Sequence, residues 1–460
     1  MFTAYKPEDR MPTGVDRFFS SPFRLVAVGA VLLVLPIPIL LIAWFVFGDA
    51  VRWLLSNQLP FSIIMMAVAL AIIIHLCAGC ILAERKLSAY IQDRKGPNRV
   101  GFWGVLQPIA DGAKFILKED IVPGNVDKPI FIMSPGIAFV VALVGFAVIP
   151  WAGEIHFPWM ADGQTVTTQV ASLDIGILYM LAIGSLSVYG VVLAGWSSNN
   201  KYSFYGGMRA TAQMLSYEIP LGLGILVILL TVGSLRLEDI VNVQASTGVW
   251  LVLVHPMAFL IMLIAAFAET NRAPFDIVEC EQELIAGFHT EYSAMKLGMF
   301  YLAEYAHMVI ASALLTVLFF GGGEPLPLVG LLAGHDEWWA ALLRFGVIWG
   351  KVCTFLALYM VVRWTLPRFR FDQIMRLCWK GLVPMGLAVV VVQALLIAFG
   401  LQIDPAKGLA GNFVVVAVSL VANGLVLLIA LAIASQSRAP ISGRQENLPG
   451  IVVKPARAES

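Results

Sequence analysis

Residues 60–82 read PFSIIMMAVALAIIIHLCAGCIL and contain no Asp, Glu, Lys or Arg. A helix needs about 20 apolar residues to cross the hydrocarbon core of a bilayer. The run is solidly apolar rather than alternating, so it reads as a spanning helix and not as a barrel strand. Nine more runs meet the same test, near 24–47, 131–151, 173–194, 213–234, 250–268, 299–320, 340–361, 380–402 and 412–434. The first is too long for a signal-peptide core. Its Pro36 and Pro38 leave an interfacial segment open as the other reading. The expected fold is all-α: a polytopic transmembrane helix bundle of about ten helices.

Composition points the same way. The chain has 460 residues, 59% hydrophobic and 13% charged, where soluble domains carry about 25% charged residues. The formal net charge is zero, so no nucleic-acid partner is indicated. Cys77 and Cys80 form a CxxC inside a candidate span. With no second pair or nearby histidines they read as small packing residues, and no metal site is assigned. There is no P-loop, iron–sulfur spacing or convincing dinucleotide fingerprint, so no nucleotide, flavin or cluster site is expected in this chain alone. No internal repeat supports a transporter of the inverted-repeat type.

Lysine and arginine set the orientation. If ten helices alternate, one side collects the basic residues of the N-terminal segment, of 84–129, of 363–380 and of the C-terminal tail. The other side's loops hold Arg52, Arg236 and Lys407. Both termini and the 268–292 loop are therefore expected to be cytoplasmic.

Three constellations lie on that side. In AERKLSAYIQDRKGPNRVG, residues 83–101, Glu84, Arg85 and Lys86 come as the second run ends. A positive-inside anchor would explain the bases but not Glu84. In FWGVLQPIADGAKFILKED, residues 102–120, apolar positions 102, 105, 106, 109, 113, 116 and 117 keep a helical period. Gln107, Asp111, Lys114 and Lys118 form the polar face, so this is an amphipathic interfacial helix. It is either surface support or the wall of a site opening toward lipid. In AETNRAPFDIVECEQELIAGFHTEY, residues 268–292, six carboxylates accompany Arg272. If 276–291 is helical, Asp276, Glu279 and Glu283 share a face, with Glu291 in line unless Gly287 breaks the helix. Glu281 points elsewhere. Glu218 and Glu304 fall inside apolar runs, where an acid costs about 2.5–3.5 kcal/mol even on the lenient scale. Two carboxylates about 6 Å apart repel by roughly 2.8 kcal/mol at an effective dielectric near 20. A coupled set titrating near neutral pH is expected, which is the chemistry of a proton relay. The bland alternative, a solvated acidic loop, suits Glu281 but not Glu218 or Glu304.

Five stretches together carry a family resemblance. They are ERKLSAYIQDRKGPNRVG (84–101), LQPIADGAKFILKED (106–120), GWSSNNKYSFYGGMRATAQMLSYE (195–218), AETNRAPFDIVECEQELIAGFHTEYSAMK (268–296) and RWTLPRFRFDQIM (363–375). In that order they resemble the H-type membrane-subunit family of proton-translocating NADH:quinone oxidoreductase, called subunit 1 in mitochondrial complex I. The resemblance implies an eight-helix core, here 60–402. It leaves 1–59 as a cytoplasmic segment with an extra helix, and 403–460 as another extra helix with a tail. It also implies a quinone, ubiquinone or menaquinone, as substrate. The implied partners are the cluster-bearing hydrophilic subunits, the antiporter-like membrane subunits and lipid; the extended termini point to the bacterial cytoplasmic (inner) membrane as the expected location. The family's quinone-chamber and coupling positions fall on Glu84, Arg85, Asp111, Lys114, Arg209, Glu218, Glu269, Arg272, Asp276, Glu279, Glu281, Glu283, Glu291 and Glu304. No catalytic residue is implied. Arg272 is the expected counter-ion of the loop, and Arg209 that of Glu218. Two other readings are the membrane subunit of an energy-converting hydrogenase, with nickel–iron chemistry on a partner, and a stand-alone ion transporter.

Overall fold

A computed structural model describes residues 48–50, 52–161, 163–277, 285–325, 335, 337–404 and 408–436. The opening run becomes helix α1, Gln58–Ile91. Its 34 residues would rise about 51 Å, well beyond a hydrocarbon core of about 30 Å. Residues 84–91 therefore extend past the apolar segment and carry Glu84 and Arg85 out of it. A tight turn at 101–104 follows. Gly101 and Gly104 adopt φ of 70° and 76° there, and a side chain on Gly104 would meet the Pro97 carbonyl oxygen at 2.2 Å. That turn reverses the chain into α2, Gln107–Leu117.

The remaining long helices are α3 (Lys128–Val144), α4 (Gly176–Ser197) and α5 (Lys201–Val232). After α6 (Leu237–Thr247) and α7 (Pro256–Glu269) come α8 (Ala294–Phe319), α9 (Trp338–Thr365), α10 (Phe371–Ala398) and α11 (Gly408–Gln436). Among the described residues eight helices are long and apolar enough to span: α1, α3 with its 3₁₀ extension, α4, α5, α8, α9, α10 and α11. The chain is thus a polytopic helical membrane bundle. The expected 24–47 helix lies outside the described residues. A two-stranded ribbon pairs Glu154 with Thr167 and Ile155 with Val166.

The 250–268 run is not one long helix. Pro256 lacks an N–H and disfavours helical backbone at its predecessor, and His255 sits at φ −125°, ψ 61°. A single turn, Leu251–Val254, precedes the break. The 14 residues of α7 rise about 21 Å, short of the bilayer core. The α6 segment packs at that end.

Close crossings rest on small residues, as membrane bundles require without a hydrophobic drive between helices. A Cβ on Gly195 of α4 would lie 2.9 Å from the Ser203 carbonyl oxygen and 3.1 Å from Gly207 Cα of α5. Helix α8 is central, with 72% of its apolar window buried against 11% for α11. A π-turn at Leu377–Leu382 widens α10, and the Cys378 thiol there donates to the Ser216 carbonyl at 3.0 Å.

Backbone ties mark the two ends. At the basic end, Asp127 N–H donates to Ser197 O and Phe369 N–H to Pro274 O, both at 3.1 Å. At the opposite end, Ile177 N–H donates to Leu235 O at 3.2 Å. That end holds Arg344, which donates to the Ala152 and His335 carbonyls, although its place in the 340–361 run suggests a position within a span.

Candidate functional site

The basic end gathers ionisable groups from three helices and one loop. Arg272, just after α7, is the hub. Its Nε lies 2.8 Å from Glu304 of α8, and its Nη1 lies 3.4 Å from Glu84 of α1. Its guanidinium also stacks over the Tyr305 ring at 4.2 Å. Arg363 of α9 contacts the same Glu84, which accepts a 2.6 Å hydrogen bond from the Tyr305 hydroxyl. The Arg272, Glu84 and Glu304 side chains are only 10%, 12% and 16% exposed. Such buried groups persist only when paired and hydrogen-bonded.

The loop holding Arg272 is fixed by a residue without charge. Gln213 of α5 is fully buried. Its amide nitrogen donates toward Ala268 O at 2.8 Å, Phe275 O at 3.0 Å and Asn271 Oδ1 at 3.1 Å. Phe275 then packs edge-on against Tyr217, centroids 5.5 Å apart. Arg368 reaches back from the α9–α10 connection to Asp276 at 2.8 Å.

Two small cavities, largely apolar but carrying carboxylates, run inward from this hub. The first, about 60 Å³, is lined by Glu304, Glu269, His289, Tyr301 and His307, among others. The second, also about 60 Å³, is lined by Glu218, Glu269 and His307. Each has room for a few waters and is far smaller than a ligand pocket of about 300–1,000 Å³. Glu269, Thr270 and His307 border both. Gly184 makes space for this arrangement, because a Cβ there would stand 3.2 Å from the Glu269 carboxylate. Glu218 accepts a hydrogen bond from the Ser185 hydroxyl.

The structure brings together Glu84, Glu218, Glu269, Arg272 and Glu304 along this line. Arg85 and Asp111 form a separate pair at 2.6 Å that docks α2 on α1, with Gln107 donating to Asp111 at 3.2 Å. Lys114 is exposed beside Phe115, 5.5 Å from its ring. Gln107 and Asp111 of α2 thus face the bundle while Lys114 and Lys118 stay exposed, and Ile109, Ile116 and Leu117 face outward, 67%, 70% and 85% exposed.

Three expectations change. Arg209 does not reach Glu218: nine residues separate them on α5, about 13.5 Å of rise, and its guanidinium lies 5.9 Å from the Phe371 ring. Among the described residues Glu218 is held by Ser185 and not by a cation. The 276–291 segment is not one helix, because Ile285 and Gly287 take φ of 64° and 57° before a 3₁₀ turn at Gly287–His289. Glu291 therefore leaves the expected face and accepts from Asn200 at 2.6 Å. Glu279, Glu281 and Glu283 lie outside the described residues. The described partners of Arg272 are acids of α1 and α8, while Asp276 takes Arg368. Packing enforces the glycine facing this break, since a Cβ on Gly206 of α5 would come within 2.5 Å of Gly287 Cα.

Sequence reasoning misses Arg363 and Arg368 as site residues, counting them only as orientation signals, and misses Gln213, Ser185, Asn200 and His289. Burial drives the His289 imidazole down to about 4, so it stands neutral at physiological pH.

Comparison with known proteins identifies the family. A family model described as NADH dehydrogenase matches residues 62–394. The H-type subunit of NADH-quinone oxidoreductase from Leptospira biflexa is 51% identical over 315 residues, 67% of this chain and 87% of the relative. NADH-quinone oxidoreductase subunit 8 of Rhodothermus marinus is 46% identical over 326 residues, 69% of this chain and 92% of the relative. The H-type subunit of Salinibacter ruber is 46% identical over 336 residues, 72% and 92% of the two chains. With its apolar helices converging on a buried Arg272 hub and with relatives matched over most of their length, this chain belongs to the H-type membrane-subunit family of NADH-quinone oxidoreductase.

Proposed function

We propose that the chain is the membrane subunit of a proton-translocating NADH:quinone oxidoreductase that frames the quinone chamber and begins the charged coupling path. The observation carrying this reading is the continuous line from the Glu84–Arg272–Glu304 hub through two water-sized cavities joined at Glu269 and His307. Carboxylates a few waters apart can pass protons, and like charges so placed titrate as a set. Neither carboxylate-lined cavity is ring-sized, so the quinone head sits at the basic end between α1 and α2, under a hydrophilic partner. The outward apolar face of α2 guides the tail from lipid. This chain contributes positioning and charge. Electrons reach the quinone from a cluster on the partner, and the changed charge there is felt first by the Arg272 hub. Asp276 and the 279–283 carboxylates belong to the same loop.

The basic end is assigned to the cytoplasm of a bacterial inner membrane. The match over 62–394 supports 60–402 as the family core, with 1–59 and 403–460 as additions. The test is a mild-detergent pull-down through a C-terminal tag. Inhibitor-sensitive NADH:quinone reductase activity, with flavin and iron–sulfur absorbance, is expected to travel with the tag. Partners carrying nickel and no such activity would favour the hydrogenase reading. A chain recovered alone from intact membranes would favour a transporter.

A further inference from the structure

Lysine is rare inside spanning helices, and one that is there calls for a role. Lys351 lies 13 residues into α9, about 20 Å from its start. Its ammonium donates to three backbone carbonyls, those of Phe320 at 2.5 Å, Gly322 at 2.9 Å and Glu324 at 2.5 Å. The Trp250 ring closes the cage, 4.5 Å from the nitrogen. Three acceptors around one nitrogen match three N–H bonds. A neutral amine would turn its lone pair on one of those oxygens, so the cage holds the charged form.

The cage stands between two kinds of space. Beyond it, at the end opposite the basic loops, is a polar cavity of about 460 Å³ whose walls include Glu154, Glu238, Asp239, Glu324 and Arg344. On the inner side the Glu218–Glu269 cavity reaches down to Leu314 of α8. Leu314 and Phe320 are six residues apart, about 9 Å along the helix. In that gap Leu315, Val317, Leu318 and Phe319 have no exposed surface, and the two buried polar side chains there are tied to backbone, Thr316 donating to Ser312 O at 2.8 Å and Gln244 to Val317 O at 3.0 Å. Phe259 packs on Phe319 and Phe320 at 5.3 and 5.5 Å, and Phe355 on Phe320 at 5.4 Å. An apolar constriction this tight holds no water wire, and a fixed positive charge at its mouth repels cations.

We propose that the Phe259–Phe319–Phe320–Phe355 layer, capped by the Lys351 ammonium, is a proton seal that closes the carboxylate cavities off from the outer cavity. The inference rests on the reading that those cavities carry protons. It makes this chain a one-ended device: protons enter or leave the Glu218–Glu269 line from the basic end or sideways, never through the outer cavity.

The experiment uses the intact complex in liposomes, without NADH, under an imposed potassium diffusion potential. Proton flux is read with an internal pH dye. A unit charge about 10 Å away at an effective dielectric near 20 lowers the local concentration of a second cation by roughly tenfold. Lys351→Met also leaves three facing carbonyls that favour a cation. Passive proton conductance is therefore expected to rise about tenfold or more in that variant, with NADH:quinone reductase activity retained as proof of assembly. Phe320→Ala is expected to leak as well. Both variants as tight as wild type would overturn the seal. If Lys351→Met does not assemble, two cysteines in an otherwise native complex decide. A small cationic thiol reagent added from the outer side should label Ser246→Cys and spare Leu314→Cys, and labelling of both would overturn it. The leak assay needs no turnover, so a leaking Lys351→Met beside normally pumping Glu218→Gln and Glu269→Gln variants would keep the seal and remove the carboxylate path.

Discussion

Replacing Arg272 with methionine keeps an unbranched apolar stem and removes the charged head. Glu304 then loses the cation 2.8 Å away, while Glu84 keeps Arg363. Both acids bind the same guanidinium, so they face each other across roughly 6 Å, where repulsion at an effective dielectric near 20 is about 2.8 kcal/mol. Breaking a buried pair by removing one partner costs about 3–5 kcal/mol, and at 10–16% exposure these three side chains qualify. Much of that cost is the orphaned acid, so it is removable. The single variant should lower both complex yield and the quinone reductase rate at least tenfold. NADH oxidation by a soluble acceptor in the hydrophilic arm should survive in whatever assembles. The double variant Arg272→Met, Glu304→Gln should recover assembly by about 2–3 kcal/mol, read as a shift in thermal inactivation, without recovering proton pumping. A single variant with native stability and kinetics would refute the hub. So would a double variant no more stable than the single.

Gln213→Leu leaves carbonyls of the 268–275 turn without their donor, at about 1–3 kcal/mol each if they stay dry; hydrogen exchange over that turn should quicken while α5 itself stays protected. Gly206→Ala places a methyl within 2.5 Å of Gly287 Cα, so assembly should fall by about 1–3 kcal/mol of overpacking, measured as a lower thermal midpoint. His289 is neutral when folded, with its value lowered to about 4 from an ordinary 6.5. The unfolded loop binds the extra proton, so stability is complete above pH 6.5 and is lost as pH falls toward 4, by at most about 3 kcal/mol. Exchange protection of 285–293 should follow that slope, and His289→Phe should flatten it. Glu283→Gln should depress proton pumping with assembly intact, and normal pumping would remove that acid from the relay.

The eight described spans are legible because each is a local apolar run whose reading needs no partner. The broken 250–268 helix was not, although Pro256 stood in plain view, because a proline can also be absorbed as a kink. Glu84, Glu218, Glu269, Arg272 and Glu304 were readable as a set only through the cost of burying charge and through the family motifs. Their partners were not readable. Glu84 meets Arg363 across 279 positions of sequence, and nothing near Arg363 distinguishes it from an ordinary orientation signal. Pairing Arg209 with Glu218 failed because both sit on α5, where nine residues put them too far apart. The face shared by Asp276 and Glu291 fails at Ile285 and Gly287, whose positive φ accompanies a close approach to Gly206 on another helix. Lys351 was hidden by the hydropathy of its surroundings, which absorbs one lysine without trace.

The claim that Glu269 joins the two cavities and carries a proton has a direct test. Infrared difference spectra of the reconstituted complex, recorded as the quinone is reduced, report protonated carboxyl groups that change state. The account predicts a carboxyl carbonyl band that responds to quinone reduction in the native complex and is lost in Glu269→Gln, together with proton pumping. A band and a pumping ratio unchanged in Glu269→Gln would contradict it.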